Sequence, residues 1–261
     1  MASSTSKTCM SLGIAFKGPE GIVLAADSRV TLNAQIPIPA IGGTPTSMLL
    51  PSTFDNATKL LKVKGQDFVG AITYGAGAIG QQEPRTAHSF IPEFEASLGD
   101  LSRLRVQDFA DRLSNFFMGR WTSAGMPNPV PPGQDLVFLV GGYDEDATYG
   151  TIFEIFIPSR PTPRLTLPAG QFGATWGGQH QFVSRLVNGF DPMALQVTRD
   201  FLQVPAVVQQ GQPDPLDGEL RTKLAARIPW QFLPLQDCVD LSIFLVRATI
   251  TLQKWIIDIR G

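Results

Sequence analysis

The chain has 261 residues, 43% hydrophobic and 17% charged, with a formal net charge of −2. That composition supports a sizeable core and excludes global disorder, and no Lys/Arg stripe suits a nucleic-acid partner. Two cysteines, Cys9 and Cys238, and two histidines, His88 and His180, exclude a disulfide framework and a Cys/His zinc centre.

In chain order, the opening "MASSTSKTCMSLGIAF" lacks the long apolar core of a signal peptide. Residues 10–17 and 21–27 read as two strands joined by the turn "GPEG", whose Gly and Pro suit a hairpin. The Pro/Gly/Thr-rich stretch 30–56 reads as a long loop, a feature of functional segments. Strands are predicted at "TKLLKVK" and "DFVGAITYG". Apolar spacings of three and four then predict helices over "RTAHSFIPEFEASL" and "RVQDFADRLSNFFMGRW", the second with Val106, Phe109, Ala110, Leu113, Phe116 and Phe117 on one face. Strands follow at "DLVFLVGGYD", "YGTIFEIFIP" and "QFGATWG". Helical patterns then run through "HQFVSRLVNGF", "PMALQVTRDFL", "ELRTKLAARI" and "LQDCVDLSIFLVRATITLQKW". No run reaches the roughly 20 apolar residues of a spanning helix. The expectation is one layered α+β domain over residues 1–261, cytoplasmic, with no metal or organic cofactor and no nucleic-acid or membrane partner.

"GAGAIG" (75–80) matches G-x-G-x-x-G, but Pro84 follows within a turn and no helix opens there, so a dinucleotide fingerprint is set aside. His88, near Phe90 and Phe94, reads as a packing histidine, and His180 reads as lying near a helix start. "GIVLAADSRVT" is the stretch that asks for chemistry. A core strand ends in Asp27 and Arg29, two apart and therefore on one face, and the third strand segment begins near Lys59. An ordinary ion pair is the plain alternative.

The stretches "LGIAFKGPEGIVLAADSRVT", "TKLLKVKGQDFVGAITYGAG", "QDLVFLVGGYD" and "GATWGGQHQFVSRL" together resemble the proteasome β-type subunits and their bacterial relatives among the N-terminal-nucleophile hydrolases. The resemblance implies a four-layer αββα sandwich of two antiparallel sheets. It implies a proteasome-like peptidase or amide hydrolase of the threonine type, active in protein degradation. Its hydroxyl nucleophile would lie on the first strand, and a freed α-amine would take the proton. The polypeptide substrate would be cut by subunits assembled in a ring, with an ATPase as a further partner. The implied site is Asp27, Arg29 and Lys59, with Gly75 donating a backbone N–H to the oxyanion and Asp258 as a bracing acid. Three nucleophile positions stay open: Ser11 by gapless counting from Asp27, Cys9 with a two-residue insertion, and Thr8 one residue further back. Residues 1–8 would then be a propeptide or a flexible start. The family's closing C-terminal strands have no counterpart after "LQKWIIDIRG", and a catalytically inactive structural subunit is the alternative reading.

Overall fold

The computed structural model describes residues 11–38, 46–81, 83–99, 102–203 and 215–255. Strands β1 (Leu12–Lys17) and β2 (Ile22–Ala26) form the N-terminal hairpin, and β10 (Gly173–Gly178) joins the other side of β1, giving the antiparallel order β10-β1-β2. A second antiparallel sheet has the order β5-β6-β7-β8-β9, from β5 (Leu60–Leu61), β6 (Val69–Gly75), β7 (Leu136–Gly142), β8 (Thr151–Ile157) and β9 (Arg160–Leu167). The register runs Thr73↔Phe138 and Gly75↔Leu136 across β6 and β7.

The two sheets pack face to face. Ala15 of β1 meets Ile72, Tyr74, Val137, Leu139 and Ile152, with Ile22, Leu24 and Ala26 of β2 closing around them. Helices α1 (Ile91–Leu98) and α2 (Val106–Ser123) cover the outer face of the larger sheet, where Phe94, Phe109, Phe117 and Trp121 bury against Leu136 and Phe138. Each such aromatic contributes about 1.5–3 kcal/mol by leaving water. On the smaller sheet, Val183 and Val187 of α3 (Gln181–Asn188) and Cys238 and Leu245 of α6 (Leu235–Gln253) pack on Leu12, Ile14 and Phe16. Helices α4 (Pro192–Leu202) and α5 (Pro215–Leu224) complete the order. Covered on both faces, β1 and β7 are buried at every position, as "LGIAFK" and "LVFLVGG" require.

Two local expectations are corrected, and one strand was not anticipated. The stretch 30–56 is not a loop: β3 (Val30–Ile38) and β4 (Thr46–Phe54) pair with each other in register from Val30↔Phe54 to Ile38↔Thr46. Prolines 37 and 51 hid this, yet each strand of a two-stranded ribbon keeps one edge unpaired, where a missing N–H costs little. The strand expected over 58–64 pairs only at Leu60 and Leu61. Finally, "RPTPRLTL" forms edge strand β9, where Pro and Arg are tolerated because one side needs no ladder. Among the described residues, no helix is long and apolar enough to cross a membrane.

Candidate functional site

Ser11 stands immediately before β1, in the backbone turn that β10 closes. Its carbonyl accepts from the N–H of Gln179 at 2.8 Å, and a Cβ on Gly178 would lie 1.9 Å from that same carbonyl. Only glycine, here with φ +82°, admits this approach. Ser11 is therefore fixed by its own backbone and buried to 4% exposure.

Asp27 follows β2 across the hairpin. Its Oδ1 accepts from the Leu12 N–H at 2.7 Å and from Lys59 Nζ at 2.8 Å, and its Oδ2 accepts from the Arg29 N–H at 3.0 Å. Lys59 precedes β5, and its Nζ also donates to Ser11 Oγ at 2.9 Å. The lysine thus bridges carboxylate and hydroxyl in a nearly dry setting. A cation held against a hydroxyl oxygen stabilises the alkoxide that forms when the proton leaves, and low solvent access strengthens that effect.

Lys59 is tied to β6 as well, because its carbonyl accepts from the Thr73 N–H at 3.0 Å. N–H groups alternate sides along a strand, so the Gly75 N–H lies on the same edge as that of Thr73, towards the Lys59 side. Gly75 has φ +88°, and a Cβ there would fall 2.0 Å from the carbonyl oxygen of Asp135. No other residue fits the end of this strand. A narrow cleft, with enclosed room for about one water molecule, lies beside these groups. Ser11, Lys59, Thr73 and Tyr74 line it, with Val30, Ala76 and Gly77 among its other walls.

Ser11, Asp27 and Lys59 are therefore brought together, with Gly75 at the adjoining strand end. The Arg29 side chain is not part of the cluster. Its Nε donates to Asp55 Oδ1 at 2.6 Å, a bond that raises the Arg29 pKa and holds the exposed Asp55 carboxyl below its ordinary range. Arg29 hydrogen-bonds Asp27 through its backbone N–H, and its guanidinium adds only a weaker charge attraction to that carboxylate. Thr8, Cys9 and Asp258 lie outside the described residues. His88 is exposed rather than packed. His180 lies at the start of α3, its Nδ1 2.8 Å from the Gly178 carbonyl. "GAGAIG" leaves β6 into a bend and an Ile79↔Arg85 bridge, with no helix opening there.

Sequence reasoning missed Thr73 and the rest of the cleft wall. Alternation could have found it: in "GAITYG" Ile72 and Tyr74 take the inter-sheet face, which leaves Thr73 on the other. Among the described residues, no group of three His, Cys, Asp or Glu side chains could hold a metal ion.

Comparison with known proteins corrects the family expectation. No family model matches the chain, and no curated protein matches it. Similar solved structures carry the name Anbu rather than that of a proteasome β-type subunit. One is a helical assembly of the Anbu complex from Pseudomonas aeruginosa, at TM-score 0.42 and 13% identity over 81% of this chain and 91% of that one. Another is Anbu (ancestral beta-subunit) from Yersinia bercovieri, at TM-score 0.41 and 14% identity over 81% of this chain and 92% of that one. Likeness this distant fixes neither family nor chemistry.

Proposed function

We propose that the protein hydrolyses amide bonds, with Ser11 Oγ as the nucleophile in an N-terminal-nucleophile arrangement. The observation that carries this reading is the 2.9 Å bond from Lys59 Nζ to Ser11 Oγ, held in place by Asp27. Ser11 is chosen because its hydroxyl is in contact with the lysine; Thr8 and Cys9 lie outside the described residues.

With the Met10–Ser11 bond cut, the α-amine of Ser11 accepts the hydroxyl proton as Oγ attacks the substrate carbonyl. Lys59 stabilises the developing alkoxide, and the Gly75 N–H donates to the oxyanion, a contribution of about 3–4 kcal/mol for a well-aimed donor. The amine then returns the proton to the leaving nitrogen, and an ester remains on Ser11. Water, deprotonated by the same amine, breaks that ester and releases the acid. The residues supply nucleophile, base and charge stabilisation, so this route takes no step through a metal.

Hydrolysis of fluorogenic peptide amides, read together with intact mass, tests the proposal. The active species is expected to begin at Ser11, and Ser11→Ala is expected to lower turnover at least about 10³-fold. Full turnover by Ser11→Ala, or by a chain still carrying residues 1–10, would contradict it. The alternative of a non-catalytic subunit gains support only if no Ser11-dependent hydrolysis occurs.

A further inference from the structure

Helix α6 has two faces, and the fold uses one of them. Cys238, Ser242, Leu245 and Thr249 recur at spacings of three and four and are buried, with Cys238 and Leu245 packed on β1. The opposite face carries Asp240, Ile243, Phe244 and Arg247, all exposed. No residue of α6 lines the cleft beside Ser11, so the proposed chemistry gives this face no role. Single apolar residues at a surface need no explanation, but neighbouring ones rimmed by charge mark a contact site. The helix ends extend the patch: Phe232, just before α6, is 76% exposed, and Trp255, just after it, is 80% exposed.

The order of residues along this face points to what covers it. About the midpoint between Ile243 and Phe244 the face mirrors itself. Acidic Asp240 answers basic Arg247, Leu235 answers Leu252, and Phe232 answers Trp255, every one of them exposed. A second α6 laid antiparallel over the first, with a two-fold axis at that midpoint, sets each Asp240 opposite the other copy's Arg247. Apolar then meets apolar at the centre and at both ends. Helices in contact lie about 8–10 Å apart, so side chains at facing positions touch. A parallel pairing would instead oppose Asp240 to Asp240 and Arg247 to Arg247, which repel. Both charges are open to a partner. Asp240 accepts from Gln236 Nε2 at 3.0 Å, which leaves other acceptor positions on the carboxylate. Arg247 makes no ion pair or hydrogen bond among the described residues.

We propose that the outer face of α6 is a homodimer interface, binding the same face of a second copy of this chain antiparallel about a two-fold axis between Ile243 and Phe244. Such a contact is isologous, so every complementary pair occurs twice. The apolar residues drive association by leaving water, and the flanking Asp240–Arg247 pairs fix direction and register. The interface stands whether or not the Ser11 cleft hydrolyses amides.

The test is sedimentation of the full-length protein over a range of concentrations. The unaltered protein is expected to form dimers, alone or within a larger even-numbered assembly. Asp240→Arg and Arg247→Asp each oppose like charges across the axis, and each is expected to weaken association at least about 100-fold. The double variant exchanges the two charges, so opposite signs meet again, and association is expected to return to within about tenfold of the parent. A defect confined to the single chain would not be rescued in this way. If a single variant does not fold, cysteine cross-linking decides. Under mild oxidation with copper phenanthroline in air, Phe244→Cys, beside the axis, is expected to join two chains at that position. Gln236→Cys is not, because its two copies lie roughly 20 Å apart along the helices. A protein monomeric at every concentration would overturn the interface. So would an assembly untouched by both single variants, a double variant as weak as the singles, or cross-linking at position 236 in place of 244.

Discussion

Lys59 Nζ lies 2.8 Å from Asp27 Oδ1, and the two side chains are only 4% and 5% exposed. A buried pair of this kind gains little over a well-packed apolar substitute, because desolvation offsets attraction. Its value at this position is therefore best sought in what it does to the neighbouring Ser11 hydroxyl. Broken on one side, however, the pair becomes a liability.

Lys59→Met is expected to cost about 3–5 kcal/mol, because the Asp27 carboxylate stays buried with only two backbone N–H donors. Asp27→Asn added to it is expected to recover part of that loss, a non-additivity that urea denaturation of both singles and the double can read. Loss below about 1 kcal/mol in the single variant would mean that the site admits more water than its burial implies.

Gly75→Ala should strike both the fold and the site. The added Cβ must enter the space of the Asp135 carbonyl oxygen, and φ +88° is strained for any L side chain. A loss of at least about 2 kcal/mol in thermal or urea unfolding is expected, since overpacking and backbone strain act together. A variant as stable as the parent would show that the end of β6 lies elsewhere.

Away from the cleft, Asp191 caps α4 by accepting from the Ala194 N–H at 3.0 Å, and it pairs with Arg185. Burial pushes its carboxyl up, but the Arg185 bond and the Ala194 and Met193 N–H groups outweigh burial and hold it below the ordinary range. A carboxyl lowered in the folded state binds fewer protons there than in the unfolded chain. Its contribution is complete above the unfolded carboxylate range and is lost as pH falls through the folded value. Asp191→Asn keeps the cap and removes the charge. It is expected to cost about 1–2 kcal/mol at neutral pH, with the difference from the parent shrinking in acid. A pH-independent difference would assign the loss to packing instead.

Much of the frame was legible because it rests on periodicity. The unbroken apolar runs of β1 and β7, and the three-and-four spacing of α2, each report how many faces are covered. Asp27 and Lys59 were legible as charges where a core should be. Strands β3, β4 and β9 were not, because their prolines signal loops unless one knows which strand edge is left unpaired. The contact of Arg29 with Asp55 was hidden for a different reason: strand alternation puts Asp27 and Arg29 on one side but does not say how far a long side chain reaches. Thr73 was invisible because one threonine among several gains meaning only from having no partner in a buried wall.

The most direct measurement treats the purified protein with an acylating β-lactone and locates the adduct by peptide mass spectrometry. The account expects a single ester on Ser11 Oγ, absent from Ser11→Ala and strongly reduced in Lys59→Met. An adduct on another residue, or none on a folded protein whose chain begins at Ser11, would contradict it.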